Sequence, residues 1–294
     1  MKSGFVTIIG RPNVGKSTLL NHLAGQKIAI VSNKPQTTRT AIKGIINREN
    51  AQIIFTDTPG IHKPKNKLGE KMSETIDEAS QGVDVVLYLI EATDKGIGTA
   101  NEFILKKVKE LNQKTILVIN KVDKIAKEHI LELMKMYSDK YEFEAIIPIS
   151  AKEDDGIEIL LDKIIELLPE GPMYYDKDAF TDQTERQIIE ETIREKALKV
   201  LDDEIPHGIA VEVESMKERG NRNLYDIEAT IYCEKKSHKG IIIGKDGAVL
   251  KLIGERARED IEEMLGAKVN LQLWVKVKEG WRDSEAKLKQ LGIK

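Results

Sequence analysis

The chain opens with Phe5-Val6-Thr7-Ile8-Ile9, a short apolar, β-branched run that stops at Gly10, and resumes from Ser17 to Leu23 with apolar residues at helical spacing. Strand, glycine-rich loop and helix are expected in that order. Four further runs have the character of buried strands: Ile53-Ile54-Phe55-Thr56, Val83 to Ile90, Thr115 to Ile119 and Ile146 to Ile149. They alternate with amphipathic stretches such as Asn101 to Leu111 and Ile157 to Leu168. That alternation predicts an α/β domain built on a mostly parallel sheet with helices on both faces. A ligand would then sit at the carboxyl ends of the strands.

Pro169-Glu170-Gly171-Pro172 breaks the last of these helices, and the polar stretch Asp176 to Glu185 reads as a linker. Beyond it the pattern changes. Gln187 to Leu201 has helical periodicity, Gly208 to Ser215 and Asn223 to Glu234 read as strands, and an isoleucine-rich segment runs from Lys239 to Leu250. The expected organisation is a first domain over 1–172, a linker over 173–185 and an α+β domain over 186–294.

A chain of 294 residues suits two domains, each large enough to need no covalent staples. The formal net charge of −3 argues against a uniformly basic nucleic-acid binder, so a surface for such a partner must be local. The one cysteine, Cys233, cannot form an internal disulfide, and it reads as a small buried hydrophobe. No charged and apolar leader opens the chain and no run approaches the ~20 apolar residues of a membrane span, which points to a cytoplasmic setting.

Five short motifs then specify the chemistry. Gly10-Arg11-Pro12-Asn13-Val14-Gly15-Lys16-Ser17, followed by Thr18, occupies the first strand-to-helix turn. There the backbone N–H groups and the helix N-terminus cradle phosphates, Lys16 reaches the β and γ oxygens, and Ser17 ligates Mg²⁺. Gly10 and Gly15 leave room for that approach. Asp57 stands at the tip of a buried strand, where it can hold Mg²⁺ through water, and Gly60 of Asp57-Thr58-Pro59-Gly60 can offer its N–H to the γ-phosphate. Between the two lies Pro35-Gln36-Thr37-Thr38-Arg39-Thr40, with Thr38 favoured over Thr37 as the Mg²⁺-sensing threonine. Both polar segments would order around the γ-phosphate and relax after hydrolysis.

The base is read by Asn120-Lys121-Val122-Asp123 and Ser150-Ala151-Lys152. Asp123 can accept from the ring N–H and the exocyclic amine of guanine, Lys121 would lie along the base face, and the Ala151 N–H can meet guanine O6. Adenine offers no such donor pair, and an unpaired buried carboxylate is costly, so GTP/GDP is expected and ATP is not. The catalytic set is Lys16, Thr38, Gly60 and Asn13, the last beside a bound monovalent cation. Ile61 stands where many GTPases place a water-orienting glutamine, which predicts slow intrinsic hydrolysis.

In the second domain, Gly244-Lys245-Asp246-Gly247 matches the GxxG loop with which KH domains clamp a nucleic-acid backbone. The tetrapeptide alone says little, but it lies between an apolar segment and a helical one. Seven basic residues against two acidic ones run from Lys235 to Arg258. Lys239, Gly240, Ile243 and Gly244 to Gly247 form the expected RNA contact. Trp274 and Trp281 read as core or half-buried residues rather than stacking platforms.

Together these residues resemble the Era family of bacterial GTPases along essentially the whole chain. The most specific marks are the eight-residue phosphate loop, Pro35 to Arg39, Asp57 to His62 and Ile241-Ile242-Ile243-Gly244-Lys245-Asp246-Gly247. That resemblance implies a P-loop GTPase domain followed by a type II KH domain with the order αββααβ. It also implies binding near the 3′ end of small-subunit ribosomal RNA, action on the 30S subunit during its assembly, and K⁺-assisted hydrolysis through the asparagine that Asn13 matches. The expected protein is a monomer, cytoplasmic, with peripheral contact at the inner membrane face. An alternative reading keeps the GTPase but docks the second domain on a protein or membrane surface.

Overall fold

The computed structural model describes residues 1–34, 36–220 and 223–293. Pro35 of the expected switch segment and Lys294 at the end of the tail lie outside the described residues. The chain divides into two compact units, the first comprising Met1–Ala29, Thr38–Pro64 and Met72–Asp182, the second Ile30–Thr37, Lys65–Lys71 and Gln183–Lys294.

The first unit carries β1 (Lys2–Gly10), α1 (Lys16–Ala24), β2 (Ile42–Arg48), β3 (Ala51–Asp57), α2 (Lys67–Ser80, entered from the second unit), β4 (Val85–Glu91), α3 (Thr99–Leu111), β5 (Thr115–Asn120), α4 (Lys127–Ser138), β6 (Ala145–Ile149) and α5 (Ile157–Leu167). Its six strands form one sheet in the order β2-β3-β1-β4-β5-β6. All neighbours are parallel except β2 and β3, which pair antiparallel. The mostly parallel sheet is therefore as expected, while β2 had no clear signature because Lys43, Gly44 and Asn47 interrupt its apolar pattern.

Each sheet face buries its own core. Leu19 and Leu20 of α1 join Leu160, Leu161 and Ile164 of α5 on one side. Ile104 and Val108 of α3 join Leu133 and Tyr137 of α4 on the other. Strands covered on both faces need no polar alternation, which is why β3, β4 and β5 read as nearly continuous apolar runs.

The stretch expected to be a linker is tied to the sheet instead. Gln52 accepts from the Tyr174 and Tyr175 N–H groups at 2.7 and 3.0 Å, the Ile45 N–H donates to the Phe180 carbonyl at 2.9 Å, and Thr181 Oγ1 donates to the Lys43 carbonyl at 2.7 Å. Exposed edge groups of β2 and one buried amide supply the partners, so polar composition alone could not reveal that this segment is ordered.

The second unit contains α6 (Glu185–Val200), β7 (Ala210–Glu218), β8 (Leu224–Cys233), α7 (Lys236–Ile243), α8 (Ala248–Leu265), β9 (Lys268–Val277) and α9 (Glu285–Gln290). The order αββααβ is present, with strands arranged β7-β8-β9, the first pair antiparallel and the second parallel. A capping box between Thr184 and Gln187 starts α6, and an αL glycine, Gly266, ends α8. Ile193, Ile231, Ile253 and Val275 share one core with Cys233, which is fully buried as expected. Trp281 is also fully buried, its indole Nε1 donating to the Gly208 carbonyl at 3.0 Å, whereas Trp274 is 41% exposed.

The same unit takes in residues 30–37 through α6. Glu195 Oε1 accepts from the Val31 N–H at 3.0 Å, and Arg194 Nη2 donates to the Thr37 carbonyl. No helix among the described residues is long and apolar enough to cross a membrane.

Candidate nucleotide site and RNA-binding groove

The phosphate loop leaves β1 at Gly10 and enters α1 at Lys16. Gly15 caps α1 in a left-handed conformation at φ 104° without a side-chain cap, so the first amides of the helix point outward as a ready anion site. A Cβ on Gly15 would stand 2.2 Å from Asn120 Nδ2, and one on Gly60 would stand 2.7 Å from Pro12. Both glycines are thus required by close approach, the second because the Asp57-Thr58-Pro59-Gly60 turn lies against the phosphate loop. The Ile61 N–H seals that contact by donating to the Gly10 carbonyl at 3.0 Å.

Lys16 is buried, and its ammonium donates to the Arg11 carbonyl at 3.0 Å and to the Gly10 carbonyl at 3.3 Å. Burial pulls its pKa down to about 8, with Asp57 acting in opposition. Asp57 is fully buried at the end of β3, and burial pushes its carboxyl up to about 6 against the pull of Lys16, Ser17 and Thr38. Ser17 Oγ donates to Asp57 Oδ2 at 2.6 Å and lies 3.0 Å from Thr38 Oγ1. Thr37 turns away, its hydroxyl donating to the Lys34 carbonyl at 2.6 Å. Of the two hydroxyls, that of Thr38 is the one beside Ser17.

Asp57 Oδ1 is buried with no hydrogen-bond partner. An unsatisfied carboxylate oxygen beside two hydroxyls is a set of hard oxygen donors suited to Mg²⁺, which completes its shell with phosphate oxygens and water. Among the described residues no cluster of three or more His, Cys, Asp or Glu could hold a metal, so a cation here depends on these hydroxyls and on the ligand itself.

At the far end of the sheet, Asn120 acts as a clasp. Its Nδ2 donates to the Val14 carbonyl at 2.9 Å, and its Oδ1 accepts from the Lys121 and Ala151 N–H groups at 2.8 and 3.1 Å. The Ala151 N–H, expected to face guanine O6, is thus shared with Asn120. Lys121 Nζ, expected along the base face, reaches the Asn13 carbonyl at 2.8 Å and pairs with Glu91 at 3.0 Å. Glu91 carried no sequence signal, because nothing in the local pattern separates it from an ordinary strand end. Ser150 Oγ donates to Asp123 Oδ1 at 2.7 Å, which aims that exposed carboxylate and holds its pKa below the usual range. Lys152 is exposed and pairs with Glu153 at 2.6 Å. Asn13 adopts φ 66° at the tip of the loop, Val14 is buried, and Thr18 lies in the first turn of α1. Ile61 is buried in the core with Ile9 and Ile76, while His62 Nδ1 lies 2.9 Å from the Gly60 carbonyl.

In the second unit, Gly244, Asp246 and Gly247 have φ of 74°, 51° and 78°, and the loop they form joins α7 to α8. A Cβ at Gly244 would meet Val249 Cγ2 at 2.5 Å. Lys239, Gly240, Lys245 and Asp246 are exposed or half-exposed, and Ile243 is half-buried. Beside the loop runs a groove of about 440 Å³ between α8 and β9, lined by Gly247, Leu250, Lys251, Gly254, Arg258 and Leu273 among others. The residues beyond Gly247 were not expected. Gly254 lies on the face of α8 that meets β9, where an added Cβ would stand at an ordinary contact distance of 3.4 Å from Leu273.

Comparison with known proteins follows this division. A family described as "50S ribosome-binding GTPase" matches residues 5–121, and one described as "KH domain" matches residues 204–282. GTPase Era of Caldicellulosiruptor saccharolyticus is 56% identical over 291 residues, covering 99% of this chain and 97% of that protein.

The chain belongs to the GTPase Era family.

Era of Alkaliphilus metalliredigens is 54% identical over 99% of this chain and 98% of its own. Two solved Era structures superpose with TM-scores of 0.96 over 100% of this chain and 99% of theirs. One is a variant of Aquifex aeolicus Era bound to GDP.AlF4⁻, 41% identical, and the other is Era in complex with MgGDPNP and nucleotides 1506–1542 of 16S ribosomal RNA, 42% identical. The P-loop GTPase and type II KH expectations are both met at the level of fold.

Proposed function

We propose that this chain is a GTP-hydrolysing switch that binds small-subunit ribosomal RNA near its 3′ end and assists assembly of that subunit. The observation that carries the first half is the Ser17-Asp57-Thr38 cluster with its orphaned Asp57 oxygen, set beneath the open amides of α1. The second half is supported by the GxxG loop with Lys239, Lys251 and Arg258 around it, by its groove, and by the Era relative solved with MgGDPNP and 16S nucleotides. The GTPase family match, named for the large subunit, ends at residue 121 and does not reach the KH-domain match at residues 204–282.

In this reading the Lys16 ammonium keeps its two carbonyl anchors and turns its remaining N–H to the β and γ phosphate oxygens, and the α1 amides and Gly60 N–H complete the cradle. Mg²⁺, held by Ser17, Thr38 and Asp57, would screen the charge on those phosphates. Water attacks the γ-phosphorus, the new P–O bond forms as the bond to the bridging β-oxygen breaks, GDP departs and the water proton passes to phosphate or solvent. Ile61 offers that water no hydrogen bond and is held in the core, so unassisted turnover is slow. Asn13, at the tip of the loop, is placed to serve a K⁺ beside the phosphates.

Loss of the γ-phosphate releases Thr38 and Gly60 together, and reciprocity requires RNA to favour the GTP form by the factor with which GTP favours RNA. Crosslinking of the full chain to RNA in a cell extract, with a non-hydrolysable GTP analogue or with GDP, tests this directly. Enrichment of the small-subunit 3′ end with the analogue supports the reading. Equal capture in both states removes the switch, and no RNA in either state removes the target.

A further inference from the structure

Arg11 is the one charged side chain of the phosphate loop besides Lys16, and its carbonyl is the nearer of the two anchors of the Lys16 ammonium, at 3.0 Å. Its own side chain is tied down from outside the loop. Arg11 Nη2 pairs with Asp94 Oδ1 at 2.5 Å, and Asp94 lies three residues beyond the end of β4. Asp94 is fixed in turn: its Oδ2 accepts from Asn101 Nδ2 at 3.0 Å, and its backbone carbonyl lies 2.9 Å from His129 Nε2. Asn101 is 2% exposed near the start of α3, and Tyr88 from β4 donates to its carbonyl at 3.2 Å. A chain of contacts thus runs from the sheet and α3 through Asp94 to the peptide group on which Lys16 rests.

An ordinary surface ion pair would add little to the stability of this loop and influence nothing else. Three features separate this pair from that case. Asp94 is only 14% exposed in its side chain, it is held by a second buried donor, and the residue it grips offers its carbonyl to the group expected at the reacting phosphates. The other anchor, the Gly10 carbonyl, also accepts the Ile61 N–H and so follows the Asp57-Thr58-Pro59-Gly60 turn. The Arg11 carbonyl belongs to the peptide that leads into Pro12, which Gly60 of that turn also packs against, and the Asp94 pair gives this peptide a second hold from outside the turn.

We propose that Asp94 and Arg11 are positioning residues for GTP hydrolysis, fixing the phosphate-loop peptide that presents Lys16 to the β and γ oxygens. The inference rests on the role given to Lys16 above. A displacement of that ammonium by a fraction of an ångström weakens a contact that matters most as charge builds on the departing β-oxygen. The chemical step should therefore suffer more than ground-state binding.

Single-turnover hydrolysis of GTP and equilibrium affinity for GDP, measured on the full chain with melting curves for each variant, test it. Asp94→Asn keeps an acceptor for Asn101 but loses the charge, Arg11→Gln breaks the pair from the other side, Arg11→Lys keeps it in weaker form, and Lys16→Ala is the reference. Asp94→Asn and Arg11→Gln are each expected to slow hydrolysis about tenfold, with GDP affinity changed less than about threefold. The double variant should be no slower than either alone, and Arg11→Lys should recover most of the rate. If Asp94→Asn and Arg11→Gln hydrolyse within about twofold of the unaltered protein while Lys16→Ala is inactive, positioning is refuted and the Lys16 reading stands. If Lys16→Ala hydrolyses normally, the Lys16 reading fails and takes the proposal with it. Equal losses in rate and in GDP affinity, with lower melting points, would make the pair merely structural and also overturn it.

Discussion

Asp57 and Lys16 are both buried in forms that burial disfavours, and their displaced pKa values, about 6 and about 8, place both charged between those limits. For Asp57 the folded value lies above the unfolded one, so protonation stabilises the fold fully below the ordinary value of 3.8 and this contribution is lost as pH rises through about 6. Lys16 is the mirror case, its contribution being complete above 10.5 and lost as pH falls through about 8. Nucleotide-free protein should therefore carry an electrostatic cost at neutral pH. Asp57→Asn is expected to raise its thermal stability at pH 7 by up to about 3 kcal/mol, a gain that disappears toward about pH 4, while abolishing Mg²⁺-dependent nucleotide binding. Calorimetric melting across that pH range, with titration of a fluorescent GDP analogue, would show both. A flat difference across pH would mean the carboxyl is not perturbed by burial. Gly15→Ala is predicted to lose nucleotide affinity by at least about tenfold, since a methyl group 2.2 Å from the Asn120 amide would dislodge the clasp between loop and base site.

Helix α8 and its neighbours carry the RNA prediction. Lys245 stands in the loop that precedes the helix, Lys251 and Arg258 line the groove along it, and cations facing a single-stranded backbone contribute through counterion release. Replacing Lys245 and Lys251 by Ala should lower the slope of log affinity against log salt by roughly 1.4 in total, about 0.7 for each phosphate no longer neutralised. Filter binding with a short RNA from the small-subunit 3′ end, at several salt concentrations, measures it, and an unchanged slope would place the RNA elsewhere. The C-terminal segment behaves differently. Trp281 is fully buried with its indole bonded to Gly208, so Trp281→Ala should cost about 3–5 kcal/mol of second-unit stability. Denaturant unfolding followed by far-ultraviolet circular dichroism would reveal a smaller effect if the tail were loosely attached.

Over the full chain, the two units bury separate cores, and the nucleotide residues belong to the first. A ligand stabilises only what binds it, by about 2.7 kcal/mol at roughly a hundredfold excess over its dissociation constant. Adding Mg²⁺ and GDP should raise the melting transition of the first unit and leave the other within about a degree. Differential scanning calorimetry separates the cases, and equal shifts in both would mean that the units unfold together.

The nucleotide site and the architecture were readable in the residue order because they depend on local rules. A P-loop needs its glycines, lysine and serine at adjacent positions, and doubly covered strands need unbroken apolar runs. The αββααβ order came through resemblance to the Era family, since GxxG alone is too common to carry a fold. Other features depend on residues far apart in the chain, and no local pattern encodes them. The segment 174–181 reads as a polar connector, yet its partners are Gln52 and the edge of β2, more than a hundred residues away. Asp94 and Glu91 look like ordinary loop and strand-end acids until folding brings them to Arg11 and Lys121. Motif spacing thus determined which chemistry this chain carries. Packing, which brings together groups that sequence separation keeps apart, decided which side chains hold that chemistry in place.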